Sequence, residues 1–221
     1  MIRIENVSVL YGRTVALDDI DVALQPGITG LFGPNASGKS TLLRVIAGLL
    51  RPTEGAAYLG QALIRSSDEV LRGRIGYAGH EAGLYARLSV EENLRLFACL
   101  YGAPAQRVEE MLEQLALMDR KGTLVEELSA GLKRRAAVAR ALLHDPDVLL
   151  LDEPYANLDD EAADIVSAAI RAWWHADRIG MIATHGAKKV KAFADAGLVL
   201  RRGRVAAYGL YRKRSEQGAS A

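Results

Sequence analysis

Cys99 is the only cysteine in the 221-residue chain, so no intrachain disulfide can form and nothing calls for an oxidising compartment. A dominant charge sign is also missing. With 28 Lys and Arg against 27 Asp and Glu, the formal net charge of +1 sets up no overall field that would draw in nucleic acid or an anionic membrane. The basic residues that do cluster come late, at Lys188, Lys189 and Lys191, at Arg201, Arg202 and Arg204, and at Arg212, Lys213 and Arg214, as solvated loops and helix ends do. No apolar run reaches the ~20 residues of a membrane-spanning helix. The runs at Ile28–Phe32, Leu42–Leu50 and Val148–Leu151 are broken by glycine or charge. Met1 to Glu5 lacks a signal peptide's apolar core, no internal repeat is visible, and the spacing of His80, His144 and His175 makes no metal site. These absences predict a soluble protein of a reducing compartment. Half of the residues are nevertheless hydrophobic, slightly more than a lone polar-surfaced domain needs, which points to a covered partner surface.

What is present is a phosphate loop. Gly33-Pro34-Asn35-Ala36-Ser37-Gly38-Lys39-Ser40-Thr41 completes the G-x-x-x-x-G-K-[S/T] pattern between a strand-like run, Ile28–Phe32, and a helix-like run, Ser40–Leu50. A helix start leaves backbone N–H groups unpaired, and a bent glycine loop aims them at phosphate oxygens. Lys39 then sets a cation against the outer phosphates, and the Ser40 hydroxyl contributes to the shell of Mg2+. The loop therefore predicts binding of a nucleoside triphosphate.

Around the loop, Ile2–Leu10 and Val15–Leu24 alternate as strands about a Tyr11-Gly12-Arg13 turn, and Ala56–Leu59 with Gln61–Ile64 predicts a hairpin. Ile75–Ala78 is a short strand. Ser89 to about Arg140 is helical, with a capping box at Ser89–Glu92, a break at Gly102 and Pro104, and a third helix capped by Ser129. Val148–Leu151 and Met181–Thr184 read as buried strands, Asp160–His175 as a helix and residues 215–221 as a disordered tail. Alternating strands and helices predict an α/β fold with a mostly parallel sheet, in one domain over 1–221 with a helical insertion at about 85–140.

In such a sheet, ligands sit beyond the carboxyl ends of the strands. Asp152 closes one of those strands and is expected to hold Mg2+. Glu153 is expected to orient and polarise an attacking water, and His185, at the end of another strand, to reach the terminal phosphate.

Between these sites, Leu128-Ser129-Ala130-Gly131-Leu132-Lys133-Arg134-Arg135 closely resembles the signature motif of ATP-binding cassette proteins, and the resemblance spans Ile2 to about Tyr208. It implies a P-loop NTPase core with an N-terminal antiparallel β subdomain and an inserted helical subdomain. It implies ATP as substrate, Tyr11 stacked on adenine, Asp159 in the loop after the catalytic carboxylate and His185 as the switch histidine. Ser129 and Gly131 are implied to close on ATP held by a second cassette, so that two copies pair head to tail. An integral membrane partner would hold the ATPase at the cytoplasmic face of the membrane and dock near His80–Leu88, on Leu84, Tyr85 and Arg87. The Gly79-His80-Glu81-Ala82-Gly83 segment is similar to that of the haem exporter ATP-binding subunit of cytochrome c maturation, and it places His80 and Glu81 in the magnesium-sensing position usually held by glutamine. Leu132 likewise departs from the signature glutamine. Three further readings stay open: export of a lipid, drug or polysaccharide, a soluble non-transport cassette ATPase, and a small-molecule P-loop kinase, which would leave the Leu128–Leu132 segment without a role.

Overall fold

The computed structural model describes residues 1–185 and 187–211, so the expected tail at 215–221 and the basic cluster at 212–214 lie outside the described residues. β1 (Ile2–Tyr11) and β2 (Thr14–Leu24) form the expected antiparallel ribbon, in register from Ile2 opposite Leu24 to Tyr11 opposite Thr14. Ile2, Ile4, Val7 and Val9 turn inward, as alternation requires. β3 (Gly27–Phe32) leaves for a second sheet. The chain returns through α1 (Lys39–Ile46) to β4 (Glu54–Leu59) and β5 (Ala62–Leu63), completing a four-stranded antiparallel sheet of order β2-β1-β4-β5.

The second sheet has six strands in the order β10-β9-β3-β8-β7-β6, built from β6 (Ile75–Ala78), β7 (Val148–Asp152), β8 (Ile179–Ala183), β9 (Ala196–Arg201) and β10 (Arg204–Leu210). All of its pairs are parallel except the edge pair β9–β10. β7 is buried along its whole length and alternates between two apolar layers. Val148 and Leu150 join the layer of α1 and the antiparallel sheet, whereas Leu149 and Leu151 join the layer of the later helices.

The helices after α1 are the short α2 (Glu69–Arg72), whose Leu71 packs in the layer of α1, then α3 (Val90–Tyr101), α4 (Gln106–Gln114), α5 (Ala130–Leu142), α6 (Asp160–Trp173) and α7 (Ala187–Lys191). α3 begins on the expected capping box: Ser89 N–H donates to Glu92 Oε2 at 2.8 Å, and Ser89 Oγ accepts from Glu92 N–H at 3.2 Å. It ends at Gly102, in the left-handed region at φ 66°. No helix among the described residues is long and apolar enough to cross a membrane.

Several boundaries differ from the sequence reading. The helix expected over Ser40–Leu50 stops at Ile46, because Gly48 turns left-handed (φ 68°) and the N–H groups of Leu49 and Leu50 fold back onto the Arg44 carbonyl. The helix expected to reach His175 stops at Trp173. Its final carbonyl is taken by Arg178 at 2.8 Å, and the Trp173 indole N–H is spent on the Pro146 carbonyl at 2.9 Å. The strand expected over Met181–Thr184 runs instead from Ile179 to Ala183. α2, α7 and the β9–β10 hairpin were not read from the sequence.

Candidate active site

The phosphate loop leaves β3 through Gly33 (φ 148°), turns at Ala36 (φ 58°) and enters α1 from a left-handed Gly38 (φ 103°). Side chains are excluded at both glycines: a Cβ would lie 2.3 Å from the Leu200 carbonyl oxygen at Gly33 and 2.6 Å from the Ala16 carbonyl oxygen at Gly38. No side chain caps α1, so its first-turn N–H groups stay open to an anion. Lys39 is only 7% exposed, and its ammonium donates to the carbonyls of Gly33 at 2.9 Å and Pro34 at 3.0 Å, which holds the charge inside the arch. Pro34, Asn35 and Ala36 form the exposed outer side. The loop is buttressed by the β9–β10 turn, where Gly203 N–H donates to the Ser37 carbonyl at 3.1 Å and the Gly203 carbonyl accepts from Asp18 N–H at 2.9 Å. Tyr11 stands at the exposed end of the β1–β2 ribbon, with Leu10 and Val15 also exposed beside it. Sequence reading named Tyr11 but missed these two apolar neighbours.

Asp152 is the last residue of β7, opposite Ala183 of β8, and is 2% exposed. Its Oδ2 is buried with no hydrogen-bond donor among the described residues. A buried anionic oxygen without a donor is costly, and a hard cation relieves that cost. α1, which carries Ser40 in its first turn, packs against β7. The donor set therefore fits Mg2+: one carboxylate and one hydroxyl suffice where phosphates and water complete the shell. Among the described residues no three His, Cys, Asp or Glu side chains come together as a metal cluster, and such an ion needs none.

Glu153 follows in a left-handed conformation (φ 51°), and its N–H donates to the Ala183 carbonyl at 2.8 Å. That sparsely populated geometry is backbone strain at the mouth of the sheet. Its Oε1 accepts from the backbone N–H of His185 at 2.9 Å and lies 2.9 Å from His185 Nδ1. An ionised carboxylate only accepts, so this contact is a hydrogen bond in the Nδ1-protonated tautomer of an imidazole whose side chain is 71% exposed.

The remaining sequence candidates sit apart from this cluster. Ser129 caps α5 by accepting from Leu132 N–H at 3.3 Å, and it is exposed. Gly131 lies against the loop after Glu153, where a Cβ would come within 2.9 Å of the Asn157 carbonyl oxygen. The Asp159 carboxylate is engaged in capping α6, accepting from Ala162 N–H at 2.8 Å. His80 and Glu81 are exposed at the exit of β6. What the sequence analysis does not single out is Arg134, named there only within the signature segment. It is buried, and its guanidinium donates to the carbonyls of Gly79 (2.7 Å), His80 (2.8 Å) and Asp152 (3.3 Å). Burial lowers its pKa, against the opposing pull of the Asp152 and Glu153 carboxylates. Flanked by Lys133 and Arg135, Arg134 carries no sequence signal that sets it apart from its basic neighbours.

A profile of the ABC transporter family matches residues 17–156. The chain belongs to the ABC transporter family. This ABC ATPase is 35% identical over 95% of its length to the Nod factor export ATP-binding protein I of Cupriavidus metallidurans, covering 71% of that protein. It is 33% identical to the ABC transporter ATP-binding protein NatA of Bacillus subtilis, over 86% of this chain and 80% of that protein. It is also 38% identical to the probable multidrug ABC transporter ATP-binding protein YbhF of Escherichia coli, over 72% of this chain and 28% of that one. Among solved structures, the dimeric post-hydrolysis state of the ATP-binding cassette MJ0796 bound to ADP and Pi superposes with a TM-score of 0.87 at 25% identity, covering 95% of this chain and 98% of that one. The chain is thus an ATP-hydrolysing ABC transporter subunit with the fold of those cassettes.

Proposed function

We propose that this ABC ATPase powers an exporter as two copies joined head to tail around two ATP molecules, at the cytoplasmic face of a membrane and bound to an integral membrane partner. The observation that carries the pairing is the division of labour within one chain. The sequence carries one phosphate loop, around Lys39, and one signature segment, at Ser129, and Ser129 is exposed with its hydroxyl accepting from Leu132 N–H of its own helix. In this reading Gly33 to Thr41 cradle the phosphates, Tyr11 stacks on adenine, and Ser129 and Gly131 of the second copy close over the triphosphate. Ser40 and Asp152 hold Mg2+, with His80 and Glu81 near its shell, and Asp159 sets the α6 start beside the partner copy. Mg2+ there supplies charge compensation for phosphate oxygens.

Glu153 accepts the proton of a water whose oxygen attacks the γ-phosphorus while the bond to the β–γ bridging oxygen breaks and ADP departs. His185 steadies that carboxylate and keeps Nε2 for the γ-phosphate. The test is a Glu153→Gln variant, expected to elute as a dimer with ATP and Mg2+; a strictly monomeric variant on or off its membrane partner would overturn the pairing.

For the partner, a groove of about 610 Å³ runs between α3 and the sheet, with exposed Leu49, Val70, Leu100 and Tyr101 on its walls. It continues towards Tyr85, 55% exposed and 6.2 Å from the Phe97 ring, whereas Leu84 packs onto the core. We assign the groove and the His80–Leu88 loop to a helix of the membrane subunit. Copurification lost on Tyr85→Asp or Leu100→Asp supports this, and an unchanged complex counts against it.

The cargo reading rests on Gly79-His80-Glu81-Ala82-Gly83, which favours haem export in cytochrome c biogenesis. The relatives named for Nod factor export and multidrug transport favour a different cargo, such as a lipid, drug or polysaccharide. Deleting the gene separates the two: loss of holo-cytochrome c supports the first, and normal cytochrome c supports the second.

A further inference from the structure

Arg134 carries a full charge out of water without touching any group assigned to ATP. Its planar fork reaches two separate segments, the Gly79–His80 exit of β6 and the backbone at Asp152, while the helix that carries it opens five residues earlier at Ser129. Six residues further along the same helix, Arg140 donates to the Tyr77 carbonyl at 2.8 Å and lies 5.0 Å from the Phe97 ring centroid. β6 and its exit are thus tied twice to α5, and Arg134 extends the tie to the end of β7, the strand with which β6 pairs. Three carbonyl acceptors from two strand ends need a rigid, multi-donor group, a geometry that an ammonium or an amide cannot span.

We propose that Arg134 is a positioning residue that makes the start of α5, the loop after β6 and the end of β7 move as one body, so that ligation at Asp152 is transmitted to Ser129. It rests on the reading of Asp152 and Ser129 given above. The buried charge is kept because a shorter neutral side chain at that place would leave carbonyls at the paired ends of β6 and β7 short of donors and loosen the start of α5 from them. A packing role alone would lower stability without separating binding from turnover.

The experiment uses the full chain as Arg134→Gln, with Arg134→Lys as the second variant should the first not fold. Hydrogen–deuterium exchange is followed with and without ATP and Mg2+, alongside steady-state phosphate release. In the wild type, ATP and Mg2+ protect the loop at 33–41 and also segments 79–88 and 129–142. In the variants, protection at 33–41 persists, protection of the other two segments is lost, and kcat falls about tenfold or more while KM stays within about twofold. Both variants also need more Mg2+ for half-maximal rate. Unchanged protection of 129–142 together with kcat within about twofold of wild type would overturn the proposal, whatever the change in Tm. Absence of ATP protection at 33–41 in the wild type would remove the ATP site itself, and the proposal with it.

Discussion

His185 meets the Glu153 carboxylate twice, through its backbone N–H and through Nδ1, each at 2.9 Å and both on the same oxygen, Oε1. The second oxygen of the carboxylate is thereby left for a water. Glu153→Gln keeps the shape and loses the proton acceptor, so kcat is expected to fall by on the order of a hundredfold or more with ATP binding intact. His185→Ala removes one of the two anchors and is expected to cost about tenfold to a hundredfold in kcat with little change in KM. Phosphate-release assays over a range of ATP concentrations separate these outcomes, and normal turnover in Glu153→Gln would sink the assignment.

Lys39 is held inside its loop by two backbone carbonyls, at 2.9 and 3.0 Å, and is positioned to exchange them for phosphate oxygens. Lys39→Ala is expected to weaken ATP binding by about 1.5–3 kcal/mol, on the order of tenfold to a hundredfold in Kd. Titration calorimetry reads this directly; an unchanged Kd would place the triphosphate elsewhere.

Gly131 leaves 2.9 Å between an added Cβ and the Asn157 carbonyl oxygen, too little without movement of one backbone. Gly131→Ala should therefore displace the start of α5 from the loop after Glu153. We expect kcat to drop about tenfold and ATP-driven dimerisation to weaken, with ATP affinity of the single chain unchanged. A dimer of wild-type strength by light scattering would show that the contact is unimportant.

His144 stacks on Tyr101, with ring centroids 4.1 Å apart, and burial lowers its pKa from 6.5 to about 4, with Arg140 lowering it and Asp145 raising it among its charged neighbours. The unfolded chain thus takes up a proton over a range in which the folded chain does not. This contribution to stability is complete above pH 6.5 and is lost as the pH falls through about 4, by on the order of 3 kcal/mol. His144→Phe keeps the stack and removes the titration. Urea midpoints between pH 7 and pH 4 should fall less in the variant; parallel curves would refute the assignment.

The chemistry-bearing segments were legible because each is written over a few adjacent residues. A left-handed Gly38 opens α1, Ser89 and Ser129 cap α3 and α5, and Asp152 closes an apolar strand. The β9–β10 hairpin and α2 were not legible. α2 is four residues long, and the hairpin's largely exposed outer strand lacks the alternation that marks a strand half-buried in a sheet.

The sequence by itself determined that a nucleoside triphosphate is held at a strand-to-helix turn and that acidic residues follow another strand, since backbone angles, caps and period act over short spans. Only the tertiary structure decided how those groups are shared. Asp152 keeps a buried unpaired oxygen, while Glu153 is joined to His185 across 32 positions and Arg134 is fastened to Gly79 across 55. The physical reason is that hydrogen-bond satisfaction in a buried site depends on which strand ends the parallel sheet sets side by side, and no local pattern encodes that distance.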